Sequence, residues 1–462
     1  SCDIMPFDSQ EENIGETAMQ NSRGGAIAFF GTTRTVYTGD NRYMNCAFLK
    51  YALKTHPDGR RYTLGEAVRL SKNEVRGIRT SYPYNKLHYT LLGDPALALA
   101  VPTGHITIDS INGLRVATDN IRLAAGQRIT VCGHVDDAPA FDGTVTLTVK
   151  DVEQTVVGRL NNTGTDGAET PYIFTDRPST VYNGTDSLHN GCFTISFALP
   201  LDISYSDASG QMTAYALSSD KQMEAHGICE DFTMGGGSDV ADNGIGPSIY
   251  CYLNNTSFVN GGNVNTTPFF YAHITDNDGI NAAGNSLGHD LELVIDGDQS
   301  MTYNLNEHFQ YDFGDYCSGS VGYSLPELTE GQHSLTFRAW DVLNNSSVAQ
   351  LNFHVVRALQ PNCFSVECTR NPATTGTTFV INHDRTGSQM DVCLEVFDAS
   401  GRLLWQKTET GVSTDSTYQL DWDLTTNSGS RLQTGVYLYR VGISSDGSKR
   451  SSQAQKLIIL RK

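Results

Sequence analysis

Cys2, in the opening segment SCDIMPFDS, is the residue best suited to covalent chemistry. A nucleophilic cysteine acts as its thiolate, so it needs a base to form that thiolate. It also needs donors for the negative charge that develops on the attacked carbonyl oxygen. A polar turn would expose the sulfur, and the backbone N–H of Cys2 is a reasonable oxyanion donor. No base stands beside it. The first histidines downstream are His56, in the turn HPDG, and His88, in LHYTLL, whose alternation favours a structural imidazole.

A second group of candidate ligands is Asp276-Asn277-Asp278-Gly279 with Asp290, Glu292, Asp296 and Asp298. Hard carboxylate oxygens of this kind suit calcium. The glycine is misplaced for an EF-hand and Asp-Gly pairs are routine turn formers, so no cofactor is required and calcium would be structural. Other chemistries lack their residues. There is no GxGxxG or phosphate loop, and no carboxylate pair stands out for glycosidase work. Gly235-Gly236-Gly237 has no Lys-Ser/Thr after it and reads as a linker. The N-x-S/T triplets carry little weight in a chain so rich in Asn and Thr.

The elements that must position these residues change character near residue 103. Before it the pattern is mixed α/β. Helical periodicity covers residues 13–20, 43–54 and 64–70, and the continuous apolar run 26–30, bounded by glycines, reads as a strand buried on both faces. From His105 onward, period-two alternation takes over, as in RITVCGHV and GTVTLTVK. Residues 160–190 read as long loops and 234–247 as a linker. These breaks divide the chain into 1–102, 103–240, 241–359 and 360–462: an α/β head followed by three β-units.

Composition narrows the partners. With 32 basic and 51 acidic residues the formal charge is −19, which disfavours nucleic acid and provides no polybasic patch for anionic lipid. No apolar run approaches the roughly 20 residues that span a bilayer as a helix. The ten cysteines include no CxxC. Cys192, Cys229, Cys251 and Cys317, or Cys363, Cys368 and Cys393, would form bridges in an oxidising compartment or stand as buried thiols. The start at Ser1, without an initiator Met, suggests the C-terminal part of a longer protein.

Taken together, SCDIMPFD, GGAIAFFGTTR and HYTLLGDPALALAVP resemble the C-terminal half of a gingipain-type, caspase-like cysteine peptidase domain. The segments ITDNDGINAAGNSLGHDLELVIDG and EGQHSLTFRAWDVLNNSS are similar to the sortases of the type IX secretion system. The tail, with EVFDASGRLLW and TGVYLYRVGI, resembles the C-terminal secretion-signal domain of that route. The fold so implied is half a caspase-like α/β domain, then Ig-like β-sandwiches, then a signal-type β-sandwich.

The resemblance makes Cys2 the nucleophile and places its partner histidine about thirty residues upstream, before Ser1. This chain alone would then be inactive. By position, Val36, Tyr37 and Thr38 lie near the substrate-specificity wall. The activity implied is removal of the C-terminal signal domain from exported proteins through a thioester, with transfer to an amine on anionic lipopolysaccharide. The partners implied are the upstream half of its own peptidase domain, cargo proteins, anionic lipopolysaccharide and the outer-membrane β-barrel protein PorV. The location implied is peripheral, on the extracellular face of the outer membrane. A secreted gingipain-like endopeptidase and a non-enzymatic β-rich adhesin are the alternatives.

Overall fold

Local sequence signals set the helices of the first hundred residues. The computed structural model describes residues 3–10, 12–21, 24–78, 84–158, 170–283 and 288–460. It divides into two compact units, Ser1–Thr103 and Gly104–Lys462.

In the first unit, helix α1 (Ile14–Gln20) starts at Asn13, whose side chain accepts the Glu16 N–H. Strand β1 (Ala28–Thr32) leads to helix α2 (Thr38–Ala52), and helix α3 (Leu64–Ile78) follows. A reciprocal pair opens α3: Thr63 Oγ1 accepts the Glu66 N–H at 3.2 Å, and Glu66 Oε2 accepts the Thr63 N–H at 2.9 Å. The short helix α4 (Tyr84–His88) runs into strand β2 (Tyr89–Gly93), which pairs antiparallel with β1.

Alternate residues of β1 serve different layers. Phe30 stacks on Phe48 of α2, with ring centroids 4.3 Å apart. Phe29 lies against Gly15 of α1, close enough that a Cβ on that glycine would sit 3.2 Å from its ring. The strand begins two residues later than the apolar run, and Ile27 is 68% exposed.

In the second unit, alternation converts directly into burial. Arg128–Val135 reads exposed at its first residue and then buried at every second one, and Gly143–Lys150 is buried at alternate positions likewise. These strands belong to one eight-stranded sheet. A parallel pairing of Ala225 with Gly104 joins its two halves. The sheet curls until its end strands, Thr180–Leu188 and Cys192–Ala198, approach, and Tyr182 stacks on Phe197 at 4.5 Å. Leu147, with Ile129, Val131, Val145 and Phe193, fills the enclosed core.

Two further cores follow, each between a pair of sheets. The middle one packs Phe270, Leu293, Phe337 and Phe353 between a four-stranded and a five-stranded sheet. The last packs Phe379, Val392, Trp405, Trp422 and Tyr439 between a three-stranded and a five-stranded sheet. The architecture is predominantly β and multidomain. Among the described residues no helix is long and apolar enough to cross a membrane.

Two sequence expectations are corrected. Residues 160–190 are not loop throughout: Ile173–Asp176 and Thr180–Leu188 are strands. Within the strand TVYNGTDSL, Gly184 leaves room for the Tyr182 ring, which a Cβ would strike. Gly235–Gly237 is likewise not linker. It ends the strand Thr233–Gly237, which pairs with Arg122–Ala125 and Ala208–Ser209, and Gly235 makes room for the Asp207 side chain.

Candidate functional site

The segment after Cys2 is laid along the C-terminal end of β1. Asp3 donates its N–H to the Arg34 carbonyl at 3.3 Å, and Met5 donates to Thr32 at 3.0 Å. Met5 is fully buried, and its side chain occupies the space that Gly15 leaves: a Cβ on that glycine would meet Met5 Cγ at 2.7 Å. Further along, Asp8 forms an ion pair with Arg34, whose hydrogen bond lowers the Asp8 carboxyl below its usual range. Asp3 has φ of 52°, a left-handed conformation that Asp tolerates better than most residues. The anchors are therefore Met5, Gly15 and the β1 end. Cys2 itself lies outside the described residues.

Val36, Tyr37 and Thr38 stand where β1 hands over to α2, and they occupy different environments. Val36 is buried with Met44, Ala47, Val75 and Tyr89. Tyr37 precedes the first turn of α2 with its side chain 60% exposed. Its backbone is held at both ends by Asn85, whose Oδ1 accepts the Tyr37 N–H at 2.9 Å while its Nδ2 donates to the Tyr37 carbonyl at 2.7 Å. Asn85 is 2% exposed. Thr38, the first residue of α2, is exposed. Asn85 carries no signal in the sequence; its role comes from a contact across 48 positions.

His56 is engaged in a turn and His88 at the junction of α4 and β2. His88 Nδ1 lies 3.0 Å from the Thr35 carbonyl, and the His88 carbonyl accepts the Thr33 N–H at 2.8 Å. His56 stacks on Tyr62 at 3.5 Å and lies 3.7 Å from Glu66 Oε2. Glu66 is pulled down to about 2 by its hydrogen bonds from Arg60 and the Thr63 backbone.

The acidic candidates separate into ligands and turn formers. Oxygens of Asp276, Asp278 and Asp341 lie within 4.8 Å of one another. Such a set could coordinate a divalent cation such as calcium. Burial raises both Asp276 and Asp341 from the ordinary carboxylate range, and the nearness of Asp276 raises Asp341 further. Asp290, Asp296 and Asp298 do not join the cluster. They bond to Asn306, to His333 and Ser334, and to Ser300 respectively. Glu292 lies on the strand Glu292–Ile295. Asp341 is invisible as a partner in the sequence because it arrives from 63 positions beyond Asp278, through a bridge between Ile280 and Asp341. The nine cysteines among the described residues are all free thiols.

The family description "Peptidase family C25" matches residues 1–100. The chain is 31% identical, over 94% of its length, to the dimeric latent PorU from Porphyromonas gingivalis; it covers 41% of that chain, with a TM-score of 0.39. The Arg-specific cysteine proteinase gingipain R is 15% identical over 50% of this chain and 44% of its own, with a TM-score of 0.21. No curated protein sequence matches. Residues 1–100, in which β1 and the Met5 segment meet, therefore carry a match to the C25 family of cysteine peptidases.

Proposed function

We propose that this chain is the C-terminal portion of a type IX secretion sortase, a cysteine peptidase and transpeptidase. The observation that carries the reading is the 31% identity to PorU across 94% of the chain, joined to the C25 match at residues 1–100. In the finer fold reading, residues 1–102 are the C-terminal half of a caspase-like domain. The Ig-like and signal-type β-units occupy 103–240, 241–359 and 360–462.

In the reaction, the Cys2 thiolate attacks the carbonyl at the junction of cargo and signal domain. The developing oxyanion is received by backbone N–H groups, and the signal domain leaves as an amine that takes up a proton. The upstream half of the peptidase domain supplies the histidine that moves that proton. An amine on anionic lipopolysaccharide then attacks the thioester, expelling the thiolate. An amine held against the thioester outruns water when water is excluded. Tyr37 and Thr38, exposed at the β1 end with Val36 behind them, form the substrate wall. The last β-unit docks on PorV, which keeps the enzyme peripheral on the extracellular face of the outer membrane. Calcium at Asp276, Asp278 and Asp341 is structural in this reading; Asp341→Asn should abolish any calcium-dependent rise in melting temperature.

The test uses the full-length protein containing this chain. It should release the tail of an exported cargo and form a covalent adduct with added amine or lipopolysaccharide, and Cys2→Ala should abolish both. Cleavage of many unrelated proteins without an amine adduct would instead favour a gingipain-like endopeptidase. Unchanged processing by the alanine variant would leave a non-enzymatic surface protein.

A further inference from the structure

The middle and last β-units meet along a seam of buried hydrogen bonds. Ser388 Oγ donates to the Thr267 carbonyl at 3.0 Å, and Asn265 Nδ2 donates to Ser388 Oγ at 3.1 Å. Beside that seam lies a cleft of about 480 Å³, within the size range of small-molecule sites. One wall is the outer face of the four-stranded sheet. Tyr252 and Tyr271 are direct cross-strand partners there, stacked with centroids 4.9 Å apart, and the next position in the row is Gly322. Their inward neighbours, Leu253, Phe270 and Ala272, fill the core, so the tyrosines are spare to it. The other wall comes from the last β-unit and includes Phe364, which is 54% exposed, with Thr386 and Ser416.

Asn254, Asn382 and Asp415 of the cleft are committed to hydrogen bonds within the protein, whereas a second set of its polar groups is not. Among the described residues, the hydroxyls of Tyr252, Tyr271, Thr386 and Ser416 form no hydrogen bond within the protein. Asn255 uses its Oδ1 on Ser257 and leaves its amide N–H groups to donate. No Lys or Arg lines the cleft, and the nearest carboxylate is Asp415. With a formal chain charge of −19, an anionic ligand is disfavoured. What fits is an uncharged molecule with flat apolar faces for the rings and many hydroxyls for the rim.

We propose that this cleft binds a neutral oligosaccharide, with Tyr252, Tyr271 and Phe364 stacking on sugar rings and Asn255, Thr386 and Ser416 hydrogen-bonding to hydroxyls. The site is independent of the peptidase reading, since it uses none of residues 1–100.

Isothermal titration of the whole chain with maltohexaose, cellohexaose, mannohexaose and chitohexaose tests it, with an alternating Thr/Val octapeptide as the extended-chain control. At least one hexasaccharide should bind with Kd of about 1 mM or tighter. Y252A/Y271A should weaken that binding by about tenfold or more. N255A/S416A, at positions outside the core, should weaken it by about threefold with the melting temperature unchanged. Y250A, on the same sheet face but outside the cleft, should have no effect. The proposal is overturned if no hexasaccharide binds at about 10 mM, if both double variants bind as well as the parent, or if only the octapeptide binds.

Discussion

At the residue scale, the first unit separates a proposed wall residue from a core residue within three positions. Val36 packs among Met44, Ala47 and Val75, so Val36→Ala should cost about 1–3 kcal/mol of stability, measured by urea unfolding. Tyr37 is mostly exposed and tied through its backbone, which Tyr37→Ala retains. That variant should keep its stability within about 0.5 kcal/mol and, in the full-length protein, raise the KM of the proposed cargo cleavage. His383 gives a different signature. It is fully buried, its Nδ1 accepts the Arg385 N–H at 3.0 Å, and burial lowers its pKa from 6.5 to about 4. The unfolded chain therefore binds a proton that the folded one refuses between these values. The resulting stability is complete above pH 6.5 and is lost as pH falls towards 4, by on the order of 3 kcal/mol. His383→Asn should flatten that slope in urea midpoints measured across pH 4–7.

At the element scale, two placements depend on single small or charged groups. Gly15 admits the Met5 side chain between α1 and β1. Gly15→Ala should cost about 1–3 kcal/mol by overpacking and loosen the segment running towards Cys2, seen as faster amide exchange at Asp3 and Met5. Asp202, its side chain buried between the first and second β-units, accepts from His289 Nδ1 at 2.7 Å, Asn281 Nδ2 at 3.0 Å and Asn344 Nδ2 at 3.1 Å. Asp202→Ala strands these donors and should cost about 2–4 kcal/mol. Calorimetry should then show the first β-unit melting apart from the second.

At the scale of the molecule, the sequence was most readable where one residue and its near neighbours set the outcome. Helical periodicity announced α1 and the first half of α3, and alternation in RITVCGHV announced a strand. The motifs of the first hundred residues carried the family match, because the segment from Asp3 to Asp8 and the strand Ala28–Thr32 beside it are each local in sequence. Tertiary structure decided what distant segments bring together. Asp341 reaches Asp276 and Asp278, Asn85 clamps Tyr37, and Gly184 accommodates Tyr182 in a strand that reads as loop. The tyrosine row joins the last β-unit's loops in one cleft for the same reason. Propensity and period act over a few residues, whereas these contacts depend on sheet order and register, which many alternating segments satisfy equally well until the whole chain packs.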